Sequence, residues 1–419
     1  MNAPLCARIL IIGDEVLKGR VVDLNGGFLA KFCYKNGINL KGTMVIRDEA
    51  AEMKEALDWG FKDADIVFTT GGLGPTGDDL TKAVFAQYFG AKLVETKESV
   101  QLIEEQYQRF GREWNKRNSY HMIPENFLAI NNPKGLAPGL GKIHQDKILL
   151  CAPGVPHELE AMAQEEFLPL LKKQFSNRFE REQQVVMRTR GIPEEKIFFE
   201  LCPDLWPMLE TLGRPSSYPQ IGGVDVVLSF AGDEQLALMR LGQLQDWAAK
   251  SPLASSIWQW GNTALPEFVL TRAKEKKLTI ALAESCTGGL TASRLTDIPG
   301  SSDVFLGSIV SYANSAKENL LAVPTELIAK HGAVSEEVVK VMAREARLRF
   351  GSDLSVAFSG IAGPDGGTKE KPVGTVAIAT SSAHGEQSAT LLLKGDRLRL
   401  KLRFSEMGLF HLLDQINSL

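Results

Sequence analysis

Asp65-Ile66-Val67-Phe68-Thr69-Thr70 runs directly into Gly71-Gly72-Leu73-Gly74-Pro75-Thr76-Gly77-Asp78-Asp79. The first six residues are a short, mostly apolar run and read as a buried strand. The glycine-rich stretch reads as a strand-to-helix loop, because a helical pattern resumes at Leu80 and ends at Gly90. Similar alternation surrounds it. Residues 9–12 form a second apolar strand entering Gly13-Asp14-Glu15, residues 25–35 and 49–61 have helical spacing, and residues 147–151 lead into Pro153-Gly154-Val155-Pro156. Strands that alternate with helices pair in parallel, so residues 1–172 are expected to be a doubly wound α/β domain.

A charged stretch, 172–182, is expected to be a helical connector. Beyond it, residues 173–262 carry a smaller α+β pattern, with strands at 185–190, 224–230 and 256–260 and helices at 193–201 and 234–249. Trp258 and Trp260 lie two apart on one strand face and are expected to pack a core or an interface. Residues 263–419 open with a helix at 264–277 and a strand at 278–282. Further strands are expected at 304–312, 355–359, 373–380 and 389–393, with a closing helix. Ser335 is a suitable N-cap for a helix over 336–350, with Glu336 and Glu337 favourably placed in its first turn.

At 419 residues the chain has room for two to four domains of roughly 100–200 residues each. Its net charge of −4 lacks the basic footprint of a nucleic-acid protein. The five cysteines are scattered and none forms a C-x-x-C pair, which disfavours a disulfide framework or zinc-thiolate site and fits a reducing cytoplasm. No apolar run approaches the ~20 residues that span a bilayer, and no secretory signal is evident, so no membrane association is expected.

Five clusters in the last region carry chemistry. They are Ala283-Glu284-Ser285-Cys286-Thr287-Gly288-Gly289, Gly300-Ser301-Ser302, Tyr312-Ala313-Asn314-Ser315-Ala316-Lys317, Ser359-Gly360-Ile361-Ala362-Gly363-Pro364-Asp365-Gly366-Gly367 and Gly395-Asp396-Arg397. Most fall where a strand gives way to a loop or helix, where open α/β sheets collect ligands. Their order and spacing closely resemble the CinA C-terminal family of nicotinamide mononucleotide deamidases. The resemblance implies Ser302 as nucleophile, Lys317 as its base and Tyr312 assisting proton transfer. It also implies a substrate site that includes Ser285, Thr287, Gly288, Ser359, Gly360 and Arg397. A lysine acts as base only when desolvation or a nearby positive charge depresses its pKa, and Arg397 is a candidate for both that and phosphate binding. Cys286 is the rival nucleophile, although no histidine lies near it in sequence. Glu284 reads equally as an acid behind the site or as a buried hydrogen-bond partner. No cofactor is expected here.

The loop Gly71, Gly72, Gly74 and Thr76 is a candidate phosphate cradle at a helix N-terminus, but no Gly-Lys-Ser/Thr follows, so it is not a Walker loop. Asp78 and Asp79 would repel a phosphate unless a divalent cation bridged them; alternatively they only favour the helix start. With Gly13–Gly19, Gly135-Leu136-Ala137-Pro138-Gly139 and Pro153–Glu158, this loop resembles the molybdopterin-binding-like domain of CinA proteins. That resemblance implies metal-dependent hydrolysis of ADP-ribose to AMP and ribose 5-phosphate, with Asp78, Asp79 and Glu15 around Mg, Mn or Co. Leu136 stands where the family usually has Thr, and Asn118-Ser119 where it usually has Gln-Ala. His157 and Glu158 could support such a site. Residues 173–262 resemble the family's KH-type linker, lack a G-x-x-G loop and are expected to act as a spacer or dimerisation module. The expected partners are therefore small nucleotides and a second copy of the chain. Alternative classes are a pterin-binding or adenylyl-transfer protein, and a non-catalytic competence-associated partner protein.

Overall fold

Strand alternation decides which helices cover each face of the N-terminal sheet. The computed structural model describes residues 4–77, 79–116, 118–176, 178–179 and 182–419. Among these, six strands lie in the order Asn39–Ile46, Cys6–Ile12, Ile66–Thr70, Lys147–Ala152, Gly139–His144, Leu128–Ile130. The first four are parallel and the last two antiparallel. Ile9 and Ile11 point to one face, where Leu29 and Phe32 of the helix Asn25–Lys35 and Leu159 and Met162 of Pro156–Met162 cover them. Leu10 and Ile12 point to the other, against Met53 and Leu57 of Ala50–Phe61 and Val84 and Phe85 of Thr81–Tyr88. The α/β class holds, but the sheet is mixed. The edge strand Asn39–Ile46 alternates exposed and half-buried residues over most of its length, so it has no apolar run to announce it.

By contact density the chain divides into two compact units, Met1–Gln183 with Phe230–Leu236, and Gln184–Ser229 with Ala237–Leu419. The expected helical connector is largely absent: the helix Leu168–Gln174 stops early and a strand begins at Glu182, with 177, 180 and 181 outside the described residues. That strand, Glu182–Thr189, joins Arg214–Pro219, Val224–Ala231 and Ile257–Trp260 in a four-stranded sheet. The expected helix at 193–201 is a π-helical segment, Lys196–Leu201. Trp258 packs edge-to-face on Phe268 and Phe410, with centroids 5.6 and 5.5 Å away, so it is a core residue.

The last sheet runs Phe305–Val310, Ile280–Glu284, Leu354–Gly360, Thr375–Ser382, Gly385–Leu392. Its first three strands are parallel and its last two antiparallel. Ile280, Leu282, Val356 and Phe358 pack with Val269, Leu400 and Phe404 from the helices Leu265–Glu275 and Arg397–Ser418. The opposite face is lined by Ala283, Ala357, Ala377 and Ala379, small side chains that let the helix Glu336–Phe350 lie close with Val339, Met342 and Ala346. Ser335 caps that helix, its Oγ accepting from Val338 N at 3.4 Å. No described helix is long and apolar enough to cross a membrane, and all five cysteines are free thiols.

Gly408 marks the closest approach of helix and sheet. A Cβ there would lie 1.9 Å from Phe358 Cε1. Helix propensity alone would favour replacing this glycine with alanine by about 1 kcal/mol, but overpacking opposes it. Gly408→Val is expected to destabilise the protein by about 1–3 kcal/mol, read from the urea midpoint. An unchanged midpoint would show that the helix can move off the sheet at little cost.

Candidate functional site

The strand Ile280–Glu284 is buried along its whole length and delivers the next residues to the carboxyl edge of the sheet. Gly288 and Gly289, with φ of +64° and +90°, then turn the chain into the helix Leu290–Thr296. The neighbouring parallel strand Phe305–Val310 ends at the same edge and leads through Ser311 and Tyr312 into the helix Asn314–Leu321. That helix carries Lys317, 1% exposed. Its Nζ donates to Ser311 O at 2.8 Å, to Tyr312 O at 3.3 Å and to Ser285 Oγ at 2.9 Å.

Two carbonyls can only accept, whereas the hydroxyl can accept an N–H or donate to a lone pair, so the arrangement accommodates both the charged and the neutral amine. Desolvation lowers the pKa of Lys317 from its ordinary value, which favours that neutral state. A cavity of about 270 Å³ opens beside the pair, lined by Ser285, Tyr312, Lys317, Ser359, Gly360 and Arg397 among others. Arg397 spans its rim, donating to Gly363 O at 2.6 Å and to Tyr312 Oη at 3.0 Å. The expected role of Arg397 in depressing the lysine pKa is not seen, because burial is the cause.

Ser302 is not in this site. It lies exposed in the short turn Ser301–Asp303, before the strand Phe305–Val310, whereas Lys317 lies beyond that strand's far end. Six strand residues separate the two by about 20 Å, so the base and the expected nucleophile of one chain cannot meet. The hydroxyl beside Lys317 Nζ is that of Ser285. Cys286 also lines the cavity, but burial pushes its thiol pKa up to about 12, which disfavours the thiolate that a nucleophile needs. Thr287 is fully buried behind the turn and Gly288 shapes it; neither lines the cavity. The carboxylate of Glu284 binds backbone N–H groups of the following turn, which settles it as a buried hydrogen-bond partner. Sequence reading missed the Ser311 carbonyl, which nothing in a side-chain pattern could reveal, and the cavity residues Asn314 and Asp365.

In the N-terminal unit a cavity of about 620 Å³ lies at the carboxyl ends of the parallel strands. Gly71, Gly72, Gly74, Glu15, Asp79, Leu136 and Glu158 line it, as do Asp48, Arg112, Tyr120 and Lys134, which sequence reading missed. A Cβ on Gly71 would lie 2.0 Å from Ile12 O, and one on Gly72 2.2 Å from Thr81 Oγ1, so only glycine fits there. Asp79 is a loop clasp. It accepts from Gly74 N at 2.8 Å, from Thr76 N at 2.9 Å and from the Thr76 hydroxyl, which draws Thr76 away from the cavity lining. Asp78 lies outside the described residues. Among the described residues, which leave out Asp78, no three His, Cys, Asp or Glu side chains converge to hold a metal. Glu158 accepts from Asn132 Nδ2 at 2.7 Å, and His157 is not among the lining residues. Lys82, whose pKa burial lowers to about 8, ties its helix to the carbonyls of Ser119 and Tyr120 at 3.0 and 3.1 Å.

The Lys317 geometry predicts a pH dependence of any reaction at the C-terminal cavity. With Lys317 in the base role expected of it, the reactive form is the deprotonated one, and kcat/KM should rise with pH with a midpoint below the ordinary lysine value of 10.5. Lys317→Met and Lys317→Arg should both lose at least about a hundredfold, because arginine stays protonated. An active arginine variant would show that the position needs only charge.

The chain matches two family models, "Probable molybdopterin binding domain" over residues 8–173 and "CinA C-terminal domain" over residues 262–416. A CinA-like protein of Geobacter metallireducens is 39% identical, with 94% of this chain and 95% of the relative covered. A second, from Chlorobaculum tepidum, is 36% identical, with 99% of each chain covered. Similar solved structures include the competence/damage inducible protein CihA of Agrobacterium tumefaciens, 38% identical over 36% of this chain and 93% of that one, with a TM-score of 0.35. Another is CinA of Thermoplasma acidophilum, 31% identical over 41% and 97% of the two chains, with a TM-score of 0.36. Identity of this degree along nearly the whole chain places the protein in the CinA family.

Proposed function

We propose that the C-terminal cavity hydrolyses the amide of nicotinamide mononucleotide through a Ser285–Lys317 pair. The observation that carries this reading is the buried Nζ of Lys317, held by two carbonyls with its third direction on Ser285 Oγ at 2.9 Å. Neutral Lys317 takes the hydroxyl proton as Oγ attacks the amide carbon. The tetrahedral species collapses, the C–N bond breaks, and Lys317 returns the proton to the departing nitrogen as ammonia. The remaining ester on Ser285 is cleaved by water, whose proton passes to Lys317 and then to the released serine oxygen. Ser359, a buried residue of the cavity lining, supplies a hydroxyl toward the substrate, and Arg397 at the rim suits a nucleotide phosphate.

A second reading concerns the N-terminal cavity, which combines a glycine loop with Arg112 and Lys134 and suits a phosphorylated ligand such as ADP-ribose. AMP formation by the wild type and by Lys134→Met, with chelator and with added Mg²⁺, Mn²⁺ or Co²⁺, tests it. Loss of AMP formation in the variant supports the reading. Pterin binding with no AMP under any condition would replace it.

Ser285→Ala should abolish ammonia release from nicotinamide mononucleotide, and Ser302→Ala should retain wild-type turnover, both measured on purified folded protein. The opposite pattern would return the nucleophile to Ser302. No ammonia from the wild type would sink the substrate assignment.

A further inference from the structure

Glu284 ends its strand immediately before Ser285 and is fully buried. Its Oε2 accepts from Gly289 N and Thr291 N, each at 3.1 Å. Its Oε1 accepts from Ala292 N at 2.9 Å and from Ser308 Oγ at 3.2 Å. Three of these donors are N–H groups at the start of the helix Leu290–Thr296, whose N-cap, Gly289, offers no side chain of its own. The carboxylate therefore stands in for the missing cap, in the positive field of the helix start. The fourth donor belongs to the strand that leads to Ser311. The Glu284 carbonyl also accepts from Ser311 N at 2.8 Å, and Ser311 O in turn holds Lys317 Nζ. Both halves of the pair thus hang from residue 284.

We infer that Glu284 is the positioning residue of the Ser285–Lys317 pair: its carboxylate locks the 285–289 turn in the conformation that sets Ser285 Oγ against Lys317 Nζ. The inference rests on the reading of Ser285 as nucleophile. Burying a carboxyl group is a costly way to cap one short helix, since a serine at the cap itself would do so locally. A carboxylate reaching from the strand does what a local cap cannot. It ties the turn to both strands that carry the reacting groups.

The test is Glu284→Gln, which keeps the shape but sets an N–H₂ group against backbone N–H donors. A fluorophosphonate that reacts with Ser285 reads the geometry without any substrate. Labelling per folded molecule should fall about a hundredfold, and kcat for nicotinamide mononucleotide should fall with it while KM stays within about threefold. Leu412→Ala, a core truncation elsewhere in the unit, should lower the urea midpoint yet leave labelling of folded molecules unchanged. Labelling of folded Glu284→Gln at the wild-type rate would overturn the inference. Wild-type protein that labels at Ser285 but releases no ammonia would remove the substrate reading and leave the labelling comparison to judge Glu284. Absence of labelling in the wild type would overturn both. If Glu284→Gln does not fold, Ser308→Ala preserves the cap and cuts only the tie to the neighbouring strand. A fall of about fivefold, the rate equivalent of one net hydrogen bond, supports the inference, and no change overturns it.

Discussion

A lysine amine that is 1% exposed must find acceptors or lose its charge, and the C-terminal unit is arranged around that requirement. Lys317 does both. Two carbonyls at the end of the strand Phe305–Val310 accept its hydrogens, and desolvation lowers its pKa. Those carbonyls are available because the chain leaves the sheet there, with no ladder partner to take them. The hydroxyl that completes the arrangement comes from the adjacent parallel strand, whose end lies level with the first. A buried lysine, a pair of carbonyls that hold it and a hydroxyl beside it all follow from two parallel strands stopping at one edge.

The N-terminal unit uses the same solution with different parts. There too a strand ends in glycines with positive φ and a cavity opens at the carboxyl edge, but at Gly71 and Gly72 close approach also leaves no room for a side chain. In both units a carboxylate close to the turn is spent on backbone N–H groups. Asp79 holds Gly74 and Thr76, and Glu284 holds Gly289, Thr291 and Ala292. Acidic residues beside glycine turns invite a reading as metal ligands or proton donors. Asp79 and Glu284 act as clasps, which accords with the demand that buried N–H groups be satisfied.

Legibility tracked burial. The helices Asn25–Lys35, Glu234–Ala249 and Glu336–Phe350 have the bounds that their sequences suggest, because an apolar stripe at helical spacing or a cap residue marks them. The edge strand Asn39–Ile46 and the antiparallel Gly139–His144 and Leu128–Ile130 were not legible, since half-exposed or very short strands carry no apolar run. The charged connector misled for the opposite reason. A helical charge pattern without a buried face does not suffice to hold a helix, and the chain turns into a strand at Glu182.

The amino-acid sequence by itself determined the α/β class, the strand-to-glycine-turn junctions and the residues from which a site can be built, because periodicity, glycine and N-cap chemistry act over a few residues. Only the tertiary structure decided which of those residues meet. Ser285 and Ser302 are both serines in glycine-bordered motifs, 17 positions apart and indistinguishable as local chemistry. The parallel pairing of Ile280–Glu284 with Phe305–Val310 carries one to the edge where Lys317 is buried and leaves the other at the opposite end. Parallel strands put all their carboxyl ends on one side, so the end of a strand at which a residue lies matters more for its chemistry than the motif that surrounds it.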